Sequence, residues 1–427
     1  MSKLSLACYG HVSSVATFSI KRVRLLKNMG EEYFLLPPRQ QIFYGIFASI
    51  LNFIGLGKRT WWGYKPIYRI FSFHAKFVVR VAPIIPVSQF MYLYFNYATL
   101  SFEVLGTVLS IIPVDILVNI NIASTNMSSY KRLMKNFMSK IHIRNASTIL
   151  YVERITRYTA YYLIFFFGLN WFCWINIPIV HNIMNKENII NKTMQLQTCV
   201  YVWMPFDYGY SFKNWIVIQL FNLYLVPIGV ITMGILHCLN YIFIYHLIGH
   251  MHNLKNIMAS SFTSNLSLSD EEVQSRLRNI IEYHSFILRV FIDVQSAFGI
   301  NVAANYLHNL FSDSLILYQV LNGGDIFSYG VMVGAYMGEL ILMSFVTEEI
   351  RKQSKGLPEL VYSIPWENMS VSNQKIIILM LSRVQTEMQF VALGGLKAGV
   401  QPMVSILKTT FSYYVMLKSS IESTENK

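Results

Sequence analysis

The sequence predicts an all-α integral membrane protein with seven spanning helices. Of its 427 residues, 54% are hydrophobic and only 13% are charged, and the mean hydropathy is +0.40. Soluble domains carry roughly 25% charged residues, so lipid is the main solvent for this chain.

A helix needs about 20 predominantly apolar residues to cross ~30 Å of hydrocarbon. Along the chain the stretches that qualify are Phe77 to Ala98, Phe102 to Ile122, Tyr158 to Val180, Asn214 to Ile248, Phe286 to Val320, Ile326 to Val346, and a last region from Ile376 to Leu417 broken near Arg383 to Glu387. An earlier run, Ile42 to Leu56, is too short to cross and suits an interfacial or re-entrant piece. The first forty residues lack a continuous apolar run, because His11, Ser13, Ser14, Lys21, Arg22 and Arg24 interrupt it, so no cleaved signal is expected.

Lysine and arginine set the orientation. They crowd ahead of the first span and in the loops after the second, fourth and sixth, whereas the opposite side holds Lys186, Lys192, Lys213 and the tail residues Lys418 and Lys427. This predicts an inverted topology, with the amino terminus cytoplasmic and the carboxyl terminus extracellular. A G-protein-coupled receptor has the reverse. The net charge of +13 is accounted for by loops beside anionic lipid, and no nucleic-acid partner is implied.

The fourth and fifth stretches, at roughly 52 Å each by the helical rise, exceed the hydrocarbon core. They are expected to project into the cytoplasm, where "DEEVQSRLRNIIEYHSFILRVF" supplies an amphipathic helix and an assembly region suited to an oligomer. The chain thus divides into a cytoplasmic amino-terminal region with the short helix (1–76), six spans with cytoplasmic extensions at about 240–290 (77–350), and a cytoplasmic anchor helix, last span and short extracellular tail (351–427).

Several features carry no chemistry. Cys8, Cys173, Cys199 and Cys238 show no CxxC spacing, and only a Cys173 to Cys199 bridge is conceivable. His246 and His250 stand one helical turn apart near His252, without a carboxylate or cysteine companion, and no metal is assigned. Gly330, Gly334 and Gly338 read as close helix packing. Glu339, Asp115 and Asp293 are acids in or near spans, where they are costly. No nucleophile, paired carboxylates or phosphate loop is present, so neither an enzyme nor a cofactor is expected. Asn191, in "NKT", is a candidate glycan site on the outer side.

Near the carboxyl end, "KTTFSYYVML" places Lys408, Ser412 and Met416 four apart, hence on one helix face, with Thr409 and Tyr413 adjoining. Together with Tyr362, Trp366, the short helix ending at Arg383 and Gln385, and the glycine-containing loop, this tail resembles the carboxyl-terminal signature of insect odorant receptors. "IIEYHSFILRVF", "MGELILMSF" and "MPFDYGYS" resemble the family's fifth helix, sixth helix and second outer loop. The related gustatory receptors usually close with a Thr-Tyr and Gln-Phe pattern that this tail lacks.

The resemblance implies an odorant-gated, non-selective cation channel subunit in the plasma membrane of an olfactory sensory neuron. It would form a heterotetramer with the odorant receptor co-receptor, whose last helices line the pore. Met416 then falls at the family's apolar gate and Ser412 one turn deeper, while Lys408 is at odds with a cation path. A homomeric gustatory-type channel is the alternative.

The resemblance also places the ligand pocket in the outer half of the bundle, among the second to sixth helices. There "YYLIFFFGLNWFCW" sets Phe167, Trp171 and Trp174 on one side, with Gly168 leaving room beside them. Phe102, Leu105 and Gly106 on the second helix, Trp215 and Phe221 on the fourth, and Tyr329 and Tyr336 on the sixth are the opposing candidates. A small neutral volatile would gain mainly from apolar burial, with Asn170 or a tyrosine hydroxyl setting its orientation.

Overall fold

The computed structural model describes residues 31–66, 69–143, 145–262, 269–321 and 326–425. The basic amino-terminal arm with Cys8, Arg144 and the terminal Lys427 lie outside them, as does the side chain of Phe102. The described residues are almost wholly helical.

Helix α1 (Ile42–Phe53) spans only 12 residues and buries Tyr44, Phe47, Ala48 and Leu51. Phe47 stacks on Trp62 at 6.0 Å, and Phe137 closes on both Tyr44 and Trp62, so this short helix is anchored in aromatic core. The first span, Ile70–Asn96, is long and apolar enough to cross, but its helix is interrupted at Ala82 and Pro83, dividing it into α2 (Arg69–Val81) and α3 (Ile84–Asn96). Pro83 and Pro86 each lack the N–H that a continuous helix would use, and the chain breaks before them.

Helix α4 (Phe102–Ser124) starts on a Ser101 cap whose hydroxyl accepts from the Val104 amide. After α5 (Ser128–Asn136), α6 (Ala146–Met184) runs 39 residues from an Asn145 cap. A short α7 (Lys186–Ile190) leads into a long loop, 191–211. Helices α8 (Phe212–Ser261) and α9 (Asp270–Leu321) have 50 and 52 residues, so each is ~75 Å long and extends well past a bilayer's hydrocarbon. The predicted amphipathic lead is simply the first part of α9.

Next come α10 (Ile326–Lys355), α11 (Leu357–Tyr362), α12 (Val371–Val384) and α13 (Val400–Glu425). The break in the last region is longer than expected. It folds as a small hairpin in which Val391 pairs with Lys397, turning through Gly394 at φ 77°, a conformation that favours glycine. Among the described residues, 6 helical segments are long and apolar enough to cross a membrane. Helix α13 is not one of them, because Lys408, Thr409, Thr410 and Ser412 dilute its apolar character.

Helix α9 is the hub, packing on α4, α5, α8, α10, α12 and α13, while α6 lies along α8 and α10. One core runs the length of these helices. A second, smaller core joins Tyr92, Val104 and Val108 to Cys199, Val200, Tyr201 and Val202 of the loop ahead of α8. The loop is therefore folded down as a cap. Asn182 accepts from the Gln197 amide at 2.8 Å, and Asn222 donates to Thr198 at 2.8 Å, satisfying polar groups that would otherwise be buried unpaired.

Of the glycine triad, only Gly338 makes a close approach: a Cβ there would strike the Tyr162 hydroxyl, whereas Gly330 and Gly334 face open space. Cys199 is a buried thiol beside Gln219 and the Ile175 carbonyl, so the bridge to Cys173 is not formed. Burial pushes the Cys199 thiol up to about 11, which keeps it protonated and unreactive near neutrality.

Candidate functional site

Beneath this cap lies a cavity of about 100 Å³. On the scale where one water needs ~10–15 Å³, it has room for a molecule of several heavy atoms. Helix α6 contributes Phe167, Asn170, Trp171 and Trp174, successive residues of one helical face, and α10 adds Met332 and Tyr336. Five residues singled out from the sequence thus converge here. The remaining wall differs from expectation: α9 contributes nothing, and α2 supplies Phe77, Val78 and Val81 instead. Helix α8 presents Tyr224, Gly229, Thr232 and Met233 around Pro227, whose ring interrupts the helical hydrogen bonding beside the cavity.

The polar groups in this apolar wall are few. Asn170 donates to the Tyr336 hydroxyl at 3.5 Å, leaving its Oδ1 without a partner, and the Thr232 hydroxyl is also unpartnered. Both side chains are buried, at 5% and 0% exposure, so a hydroxyl or carbonyl in the cavity would satisfy atoms that the fold leaves unpaired. Asp115 stands at the wall too, its Oδ2 accepting from Gln89 at 2.7 Å. Thr232 was not singled out from the sequence, because α8 is apolar around its whole circumference and no stripe marks its inner face.

The other candidates lie apart. Trp174 also borders a second cavity, where it meets Tyr329 edge-on at 6.4 Å, and Tyr329 pairs with Thr107 at 3.0 Å. Gly106 is filled by the Gln319 side chain, and Leu105 borders neither cavity. Trp215 donates from its indole nitrogen to the Gln197 carbonyl at 2.7 Å, fastening the loop ahead of α8. Phe221 packs with the second, smaller core, and open space adjoins Gly168. Asn191 is exposed, at the turn after α7.

On α13, Lys408, Ser412 and Met416 are all exposed, and Ser412 donates back to the Lys408 carbonyl at 2.9 Å. The opposite side buries Met403 and Thr410 against the bundle. The His246 and His250 pairing does not form: His250 is engaged by the Tyr283 hydroxyl and the Ile141 carbonyl.

Comparison with known proteins gives consistent results. A sequence model of the family described as 7tm Odorant receptor matches residues 107–411. Odorant receptor 22c of Drosophila melanogaster is 26% identical over 151 residues, 35% of this chain and 37% of that protein. Odorant receptor 13a of the same species is 21% identical over 240 residues, covering 52% of this chain and 57% of its own length. The chain therefore spans about half or less of these curated relatives. In three dimensions, the insect olfactory receptor OR5 from Machilis hrabei aligns over 88% of this chain and 97% of its own, with a TM-score of 0.69 and 15% identity. The same receptor in complex with eugenol gives a TM-score of 0.72 at 15% identity, covering 88% of this chain and 98% of that one. At such identity the likeness shows the fold.

Proposed function

The chain belongs to the odorant receptor family, and from that premise we propose that it is the odorant-specific subunit of an odorant-gated, non-selective cation channel. It sits as a multi-pass protein in the plasma membrane of an olfactory sensory neuron, amino terminus inside, and assembles as a heterotetramer with the odorant receptor co-receptor. The ligand is a small neutral volatile with one or two oxygen atoms. The observation that supports this most directly is the aromatic cavity on α6 with two unpartnered polar atoms, Asn170 Oδ1 and Thr232 Oγ1, in its wall. The eugenol complex of the solved receptor, an aromatic volatile on a similar fold, supports the same ligand class.

Apolar burial at ~25 cal/mol per Å² supplies most of the affinity, and the polar pair fixes orientation. Pore lining falls to α13, whose Lys408, Ser412 and Met416 face is left free by the single chain. Filling the cavity tests the assignment. Gly229 lines it and has no atom within 4 Å of an added Cβ, so Gly229→Leu intrudes without displacing the backbone. Odorant-evoked current should fall while surface expression stays normal. An undiminished dose response would place the ligand elsewhere.

A further inference from the structure

We propose that His142, Glu153 and His246 form a divalent transition-metal site, fitted to Zn²⁺, where α1, the α5–α6 corner and α8 meet. The three come from different parts of the chain: His142 follows the helical turn Phe137–Ile141, Glu153 is on α6, and His246 is on α8. Their ligand atoms all lie within 4.8 Å of one another, and the side chains are 8%, 0% and 0% exposed. His142 Nε2 stands 3.0 Å from Glu153 Oε1, and the two imidazole rings are centred 5.0 Å apart.

Two atoms in this cluster have no hydrogen-bond partner, His246 Nε2 and Glu153 Oε2. His246 Nδ1 donates to the Ile242 carbonyl at 2.7 Å, so in the neutral ring the Nε2 lone pair is the free one, and it is buried without a donor. An arrangement of this kind, a backbone carbonyl fixing one ring nitrogen so that the other presents its lone pair, is how proteins orient metal-binding histidines. Tyr44 gives Glu153 the corresponding outer support, donating to Oε1 at 2.6 Å. Arg157 lies 3.6 Å from the other carboxylate oxygen and is also held by Gln41, which leaves Oε1 as the oxygen directed at the histidines.

Two imidazole nitrogens and one carboxylate oxygen select zinc over calcium or magnesium, which take oxygen ligands. Bonds of ~2.0–2.1 Å set tetrahedral ligand atoms about 3.3 Å apart, close to the 3.0 Å between His142 Nε2 and Glu153 Oε1, so the adjustment falls mainly on the His246 ring. Of the three, His142 also borders a surface cleft with Lys140, Asn253 and Tyr283, the side from which an ion would enter. Occupancy would tie α1, through Tyr44, to the extension of α8, and so stabilise the folded chain by mass action.

The test uses the full chain, purified with a histidine-free tag, stripped with a chelator and equilibrated with Zn²⁺. About one zinc per chain is expected, together with protection against thermal unfolding. His246→Gln should weaken binding about tenfold or more, whereas His252→Gln, which alters an exposed histidine nearby, should leave it unchanged. Replacing zinc with Co²⁺ on the unaltered chain should give the intense visible absorption of tetrahedral ligation, a readout that needs no variant to fold. No bound zinc, zinc lost equally in His252→Gln, or the weak spectrum of octahedral Co²⁺ would each overturn the site.

Discussion

His237 Nδ1 lies 2.8 Å from Glu339 Oε1, with both side chains buried in the middle of the bundle. The same carboxylate accepts from the Tyr241 hydroxyl and the Asn305 amide, so α8, α9 and α10 are joined at one point. Phe167, on the cavity wall, stacks on the His237 ring at 6.0 Å. Acids in a span are costly unless partnered, and this one is partnered from two helices besides its own. Glu339→Ala strands His237, Asn305 and Tyr241, and should cost about 3–5 kcal/mol. Glu339→Gln, which keeps the shape and an acceptor, should cost less. Thermal unfolding of purified protein measures both, and an unchanged Glu339→Ala would contradict this account.

Tyr306, next in sequence to Asn305, pairs with Ser344 at 3.0 Å and accepts from the Gly399 amide where α13 begins. Removing the hydroxyl with Tyr306→Phe should therefore alter how far ligand binding moves the last helix. The expected result is a changed maximal odorant current with a nearly constant half-maximal concentration. A pure shift in concentration would assign Tyr306 to binding instead.

In the cavity, Thr232→Val and Asn170→Leu remove the two unpartnered polar atoms while retaining volume. A lost hydrogen bond of ~0.5–1.5 kcal/mol corresponds to about a 2- to 12-fold loss of potency for an oxygenated odorant. A hydrocarbon analogue of the same shape should be unaffected. Equal losses for both compounds would mean that these side chains act through packing alone.

On α13, Met416→Ala should change basal current or ion selectivity, and Lys408→Gln should ease cation passage by removing a positive charge from the same face. Trp171→Ala, by contrast, should shift the odorant dose response and leave permeation intact. Current–voltage relations in mixed cations separate the two outcomes. If Met416→Ala and Lys408→Gln leave permeation unchanged, that face does not line the pore.

Much of this architecture is legible in the sequence, because hydrophobic length is a strong signal in lipid. The excessive length of α8 and α9 is visible, as is the break ahead of α13. The face of α6 carrying Phe167, Asn170, Trp171 and Trp174 is also readable, since a run of aromatics at helical spacing keeps its register. What neighbours each face is not. The split of the first span depends on how Pro83 and Pro86 act together, and the choice of α2 over α9 as a cavity wall depends on helix tilt. Gly106 looks like space in the sequence but is filled by Gln319, some two hundred residues away. For the same reason His246 shows no companions in its own segment, although His142 and Glu153 reach it from two distant ones.

The central claim is that this chain supplies the odorant specificity of a channel shared with the co-receptor. Whole-cell current tests it most directly, in cells expressing this chain alone, the co-receptor alone, or both, during exposure to volatile esters, alcohols, terpenoids and aromatics with G-protein signalling blocked. The account predicts current that requires both chains and one chemical class of volatile. Odorant-evoked current from this chain by itself, or a response to the panel that is the same with the co-receptor alone, would contradict it.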